Sequence, residues 1–438
     1  MLPPKLVLLF AGLALTLQAD VHNLTLAQAL ELAARENPEV LLARLDQQRS
    51  QDDVRIAQSP FRPKVTSGAG IAYTYGYPNS IDGSAPSLFQ ARTDMALFNR
   101  PESYRLSAAR ELARGSQYGA QAKAEDAAYR TADLFLAATQ SAHVADTLDQ
   151  EIPTLEKVDQ TMQAAVSGGS ELPIEAKRAT LNLAMARERA ANARLDVDYG
   201  EMMLAIVLGY QAADRVHPVE SDALKVDAPT SETEAADQAI RNNRELRQMQ
   251  SSILAKQLDL RSYKSERLPQ VGLVAQYALF DKQNYQQYFQ KFQANNVQLG
   301  ASITIPLLVG PAGKASADQA AIDMEKLRVQ VQQVRNRIIS DTRRSYQQWE
   351  KANNIRDLAR MQLDLARESL SVLLAQNAEG RVPLRQLEEA RVEESDRWIA
   401  LYDAEADVLR AKFAILRQMG TLLSSVRDTG AHDTGARP

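Results

Sequence analysis

The 438-residue sequence contains no cysteine. That excludes disulfides, thiolate metal sites, a cysteine nucleophile and lipid attachment through an N-terminal cysteine. Histidine is scarce: His22, His143, His217 and His432 lie too far apart to form a short-spaced zinc motif. Beyond Asp20 no apolar run approaches the ~20 residues of a membrane-crossing helix, so a helical inner-membrane protein is excluded. An excess of one charge is also missing, since 51 basic and 55 acidic residues are intermixed for a net charge of -4. Without a basic stripe there is no case for nucleic acid as a partner. The chain shows no Ser-His-Asp order, phosphate loop or His-Glu-x-x-His motif, and its carboxylates are spread as on solvated helix faces. No enzyme and no cofactor are expected.

What is present begins with Lys5, the apolar run Leu6 to Leu17, and Gln18-Ala19-Asp20. This is the pattern of a secretory signal peptide over residues 1–19, with a buried N-terminal helix as the alternative. The remainder is rich in Ala, Gln, Glu, Arg and Leu and has only 17 prolines in all. Such a composition favours long helices.

The chain also repeats itself. Asn37-Pro38-Glu39, Arg55, Pro63 and Val65 recur 206 residues later as Asn243-Arg244-Glu245, Arg261, Pro269 and Val271. Further along, Gly169, Ala179 and Gly209 recur 211 residues later as Gly380, Ala390 and Gly420. Two homologous halves follow, residues 20–210 and 231–421, joined by a polar linker at 211–230 with Pro218 and Pro229. Residues 422–438 form a polar tail expected to be flexible.

Within each half the periodicity gives one order of elements. An apolar-periodic run through Ala29, Leu32, Ala33, Val40 and Leu41 predicts a helix from Thr25, its N-cap, to a stop near Pro60. Strands are predicted at 65–76 and 89–98, then at 271–280 and 297–307 in the second half. In the last, Leu299, Ala301, Ile303, Ile305 and Leu307 share one face, while Gln298, Ser302 and Thr304 share the other. One face suits lipid and the other water, although the edge of a buried sheet alternates in the same way.

Next come two stretches nearly free of proline, Ser103 to Val166 with Pro153 alone, and Lys314 to Glu379 with none. A helix of about 65 residues is about 95 Å long, too long for a globule. Met324, Leu327, Val331, Val334 and Ile338 have coiled-coil spacing, as do Ala179, Leu183, Ala186, Ala190, Ala193 and Val197 on the returning helix. Each hairpin turns at glycine, near 167–173 (Gly168, Gly169) and 379–383 (Gly380, Arg381). Pro173 and Pro383 suit the first turn of each returning helix. Four strands cannot close a membrane barrel alone, so membrane-facing strands would require several chains.

This pattern resembles the TolC-like outer membrane efflux protein family over essentially the whole mature chain. Local marks are Leu24-Thr25-Leu26-Ala27-Gln28-Ala29-Leu30, Asn37-Pro38-Glu39 and the strand-to-helix turn Ile303-Thr304-Ile305-Pro306-Leu307-Leu308-Val309-Gly310. The resemblance implies a mainly α fold with a membrane β-barrel. Three chains would form a helical tunnel and a twelve-stranded barrel, four strands per chain, in the outer membrane of a Gram-negative bacterium. It implies a passive exit duct for drugs or toxic compounds, fed by a periplasmic adaptor and an inner-membrane RND or ABC transporter. Type I protein secretion uses the same duct and is the alternative. A periplasmic coiled-coil adaptor fits less well, because adaptors normally carry one hairpin.

By the same resemblance Gly168, Gly169, Pro173, Gly380, Arg381 and Pro383 would form the tips that dock the adaptor. Family register places Gln386 and Glu389 at the periplasmic gate ring and Glu175 and Arg178 at the equivalent first-repeat positions, where pairing with a neighbouring helix is expected. One carboxylate per chain instead of two implies weaker cation binding at the gate. Strand-to-helix bends fall at Pro101, Pro306 and Gly310; the first copy, Ala96-Leu97-Phe98-Asn99-Arg100, lacks the proline and glycine of its counterpart.

Overall fold

The computed structural model describes residues 20–70, 87–219, 229–280, 294–307 and 310–426. The expected signal peptide, the end of the first predicted strand, Leu308, Val309, residues 220–228 of the linker and the tail from 427 lie outside them. The described residues form two compact units, one drawn from the spans 1–41, 124–242 and 340–438, the other from 42–123 and 243–339. Among the described residues no helix is long and apolar enough to cross a membrane.

The duplication is visible in element lengths. The first repeat runs β1 (Val21–Leu24), α1 (Leu26–Glu36), α2 (Pro38–Gln58), β2 (Lys64–Gly70), β3 (Ser87–Phe98), α3 (Arg100–Ser167) and α4 (Pro173–Val207). After β4 (Arg215–Pro218) the second runs α5 (Glu232–Asn242), α6 (Arg244–Lys264), β5 (Gln270–Phe280), β6 (Asn295–Thr304), α7 (Pro311–Ala378) and α8 (Leu384–Met419). The paired helices have 11 and 11, 21 and 21, 68 and 68, and 35 and 36 residues. A 68-residue α-helix is about 100 Å long at 1.5 Å per residue.

The helix expected to run from Thr25 to Pro60 is two helices. Thr25 caps α1 with a full capping box, its Oγ1 accepting from Gln28 N and Gln28 Oε1 accepting from Thr25 N. Asn37 then breaks the run, since a residue before proline is pushed out of the α region. Its ψ is 131°, and its buried side chain accepts from the amides of Glu39 and Val40 while donating to the carbonyl of Val207 at 2.8 Å. Asn243 does the same for α6, accepting from Leu246 N.

The segment 211–230, expected as linker alone, carries β4, which pairs in parallel with β1. The first unit holds two hydrophobic clusters, one of which includes Val216 of β4. One joins Ala29, Ala33, Phe135, Ala138, Leu204, Leu208 and Val216; the other joins Leu30, Ala128, Ala132, Phe413, Leu416 and Leu422.

Four glycines end four helices in one way. Gly169, Gly209, Gly380 and Gly420 have φ of 73°, 86°, 71° and 65°, the only positive-φ residues among those described. At each, the next amide reaches back to close a Schellman turn, as with Ser170 N to Ala165 O and Arg381 N to Gln376 O, both 2.9 Å. α3 and α4 then pack through Leu155, Leu183 and Ala186, with Ala190 and Ala193 also buried. Gly200 lets the backbones meet, because a Cβ there would lie 3.0 Å from Ala138 Cβ. α7 and α8 pack through Ala359, Leu363, Leu401 and Ala404. Pro153 sits inside α3 without ending it.

In the second unit the strands form one antiparallel sheet in the order β2-β3-β5-β6. β5 and β6 pair Val271 with Ile303, Leu273 with Ala301, Ala275 with Leu299 and Tyr277 with Val297. β3 continues this apolar face with Met95 and Phe89 beside Leu273 and Leu279. The opposite face carries Lys64, Thr66, Arg92, Asp94, Gln276, Gln298, Ser302 and Thr304, with Arg92 bound to Asp94 at 3.0 Å. Every residue of β6 is exposed, Val297 by 77% and Leu299 by 75%. β6 ends at Thr304, so Ile305 and Leu307 follow the strand rather than complete its face.

The glycines generate a stability prediction. Alanine at Gly209 carries the left-handed penalty of ~1–2 kcal/mol and also places its Cβ 2.7 Å from the Glu36 carbonyl oxygen, whereas Gly169 has nothing within 4 Å. Thermal unfolding in detergent should show a larger fall in Tm for Gly209→Ala than for Gly169→Ala; equal falls would contradict the close approach.

Candidate functional site

The hairpin tips are built from the helix ends. α3 runs to Ser167, Gly168 and Gly169 turn the chain, and Pro173 opens α4 at its first position, where its missing amide costs nothing. In the second tip Arg381 binds Glu379 at 2.9 Å, and Asn377 Nδ2 donates to the carbonyl of Val382. Pro383 is the N-cap of α8 rather than part of its first turn, with ψ of 151°.

Gln386 and Glu389 lie on the first turns of α8, both exposed, and Glu389 faces Arg385 at 3.8 Å. Glu175 and Arg178 bind one another at 3.1 Å along α4. Within the chain they form an i,i+3 pair, the geometry a helix surface offers at no cost in reach. Pro101 lies in the first turn of α3, with Asn99 capping that helix by accepting from Glu102 N. Pro306 and Gly310 lie between β6 and α7, with Gly310 immediately before the first residue of α7.

A second set of polar groups lies where α8 packs against α3. Glu388 is buried to 7% exposure beside Arg391 at 3.6 Å, and its Oε2 has no hydrogen-bond partner. Glu151 of α3 accepts from Ser395 at 2.8 Å. Burial pushes both carboxyls above the usual glutamate range. Arg391 and the charge of Glu151 act on Glu388 as lesser causes, while Ser395, Asp396 and Arg189 act on Glu151. Sequence reasoning missed both residues. A buried flank at Leu387 and Ala390 was the available signal, because it turns Glu388 inward and leaves Gln386 and Glu389 outside.

The contact between α8 and the first hairpin continues as a polar seam. Gln140 donates to Asp403 and accepts from Arg410, Arg410 binds Asp133 at 3.1 Å, and Arg189 binds Asp396 at 2.9 Å. His143 stacks on Tyr402 at 4.6 Å, Tyr402 on Trp398 at 5.6 Å, and Arg367 covers Trp398 at 4.3 Å. Among the described residues no cluster of His, Asp or Glu has the geometry to hold a metal.

An amphipathic four-stranded sheet and two helical hairpins, each opened by a 68-residue helix, are the elements by which the chain compares with solved outer-membrane channels. The channel CmeC of Campylobacter jejuni superposes with a TM-score of 0.73 at 13% identity, over 93% of this chain and 88% of that one. The outer membrane protein VceC of Vibrio cholerae superposes with a TM-score of 0.69 at 12% identity, over 90% and 96%. Residues 235–421 match the model of the family described as outer membrane efflux protein. Outer membrane efflux protein BepC of Brucella suis biovar 1 (strain 1330) is 21% identical over 419 residues, 94% of this chain and 89% of BepC. The family model thus covers the second repeat, and over nearly the whole chain the fold is that of the solved outer-membrane channels.

The buried carboxyls generate a pH prediction. An unfolded chain ionises them in the usual range, whereas the fold retains their protons to higher pH. Their contribution is therefore most favourable below the usual range and is lost as pH rises through the raised folded values. Glu388→Gln should raise Tm at neutral pH and flatten its decline between mildly acidic and neutral pH. An unchanged pH profile would show that Glu388 is not the group responsible.

Proposed function

We propose that three copies of this chain close one twelve-stranded barrel and one helical tunnel, forming the passive exit duct of a tripartite efflux pump. Small molecules such as drugs or toxic compounds would enter from an inner-membrane transporter of the RND or ABC type through a periplasmic adaptor. The observation carrying this reading is the four-stranded sheet, apolar on one face and polar on the other, whose outer strands β2 and β6 have no further strand beside them among the described residues. In hydrocarbon every backbone donor needs a partner, so such a sheet must continue into another chain. Its polar face, with Lys64, Arg92, Asp94, Gln276 and Gln298, then lines a wet interior.

The tips built by Gly168, Gly169, Pro173, Gly380, Arg381 and Pro383 serve as the adaptor's docking points in this reading. Gln386 and Glu389 form the gate, and their exposure on one stretch of α8 supports that role. The gate then holds three carboxylates, one Glu389 from each chain, and Arg385 beside Glu389 weakens its pull on cations further.

In a host strain lacking this chain but keeping its adaptor and transporter, expressing the protein should restore tolerance to exported drugs. Leu299→Arg should not, since arginine on a lipid-facing strand costs about 2–4 kcal/mol near the bilayer centre. Unchanged tolerance on expression, or full activity of Leu299→Arg, would overturn the reading. For the gate, planar-bilayer recordings of Glu389→Gln should show reduced cation preference, and identical selectivity would remove Glu389 from it.

A further inference from the structure

The polar face of the sheet carries a cavity at the end where the chain passes between helices and strands. Lys64 opens β2 beside Asp94 of β3, and Gln270 opens β5 beside Thr304, the last residue of β6. The turn Ser59–Phe61, which links α2 to β2, packs against β3 at this end. The cavity measures about 790 Å³, and Arg55, Arg62, Lys64, Asp94, Ser302 and Thr304 are in its wall. A space of that size suits a small organic molecule.

The wall is unbalanced in charge. Asp94 is its only described carboxylate, and both oxygens of Asp94 are taken by Arg92 Nε at 3.0 and 3.1 Å. Arg55 is held by Asp52 at 2.7 Å. Arg62 donates to a neutral oxygen, Oε1 of Gln58 at 3.3 Å, and Lys64 has no ion-pair partner among the described residues. Arg62 and Lys64 thus leave two positive charges uncompensated in each chain. Ser302 and Thr304 add hydroxyl donors from β6.

The repeat shows that the fold does not need those charges. At the 206-residue spacing Arg62 corresponds to Leu268 and Lys64 to Gln270. Gln270 has a structural task, accepting from Asn99 Nδ2 at 3.2 Å. The second half therefore enters β5 through a neutral pair, whereas the first enters β2 through two cations. A charge that one copy carries and the other dispenses with is kept for something other than folding.

We propose that this cavity binds oxyanions, the carboxylate, sulfate or phosphate group of a dissolved small molecule, through Arg62 and Lys64, and that the exported molecules include organic anions. The inference rests on the channel reading above, in which the polar face lines the wet interior and meets dissolved anions instead of lipid headgroups. Guanidinium and ammonium groups make strong charge-assisted bonds to such oxygens. A passage lined by one sign of charge also raises the local concentration of the opposite ion.

Planar-bilayer recordings of the full-length protein, with inorganic pyrophosphate as the probe, test the site. Pyrophosphate should block the wild-type current at low salt, and higher salt should weaken the block. Arg62→Leu with Lys64→Gln, which installs the residues of the second repeat, should weaken it by roughly tenfold or more, the worth of one charge-assisted bond, and shift the reversal potential toward cations. Lys64→Arg should retain the block, which separates charge from shape. A conducting channel that pyrophosphate does not block, or one whose block is unchanged in the double variant or equally lost in Lys64→Arg, would overturn the site and leave the duct reading standing. A purified protein that forms no conducting pore would overturn both.

Discussion

Hydrocarbon offers no hydrogen bonds, and that single condition governs the rest of the molecule. The sheet β2-β3-β5-β6 has an apolar face of Val271, Leu273, Leu299 and Ile303 and a polar face of Gln276, Gln298 and Ser302. It is built to separate lipid from water. Yet β2 and β6 each keep one row of backbone groups without a neighbouring strand in the described chain. Those rows are tolerable in a membrane only when paired, so in the proposed channel the chain is one sector of a closed wall.

Duplication gives the economy of this design. Each half supplies two strands, a 68-residue descending helix and a returning helix. Four Schellman turns, at Gly169, Gly209, Gly380 and Gly420, end the equivalent helices identically. The halves have nonetheless diverged where they meet different neighbours. Glu151 on α3 answers Ser395 and lies near the buried Glu388, whereas its counterpart on α7, Gln362, is flanked by the exposed Met361 and Leu365.

Much of this was legible in the sequence because it is periodic. The strand alternation around Leu299 and Ile303, the alanine seam on α4 and the glycine turns each follow from one residue type at one spacing. The break at Asn37 was harder, since Ala29 to Leu41 keeps an unbroken apolar period across it. Only the preference of a pre-proline residue and the side-chain caps of Asn37 separate α1 from α2. The parallel pair β1 and β4 joins residues nearly two hundred positions apart and has only four residues per strand, so no local pattern announces it. At the tips the sequence pointed to Gln386 and Glu389 but passed over Glu388, whose chemistry differs from Glu389 only through the direction its position on α8 faces.

The central claim is that one chain is an incomplete wall, completed by copies of itself. The mass of the detergent-extracted particle tests it most directly. Native mass spectrometry of protein taken from outer membranes should give three chains per particle, twelve strands in all. A stable, membrane-inserted particle with the mass of a single chain would contradict it.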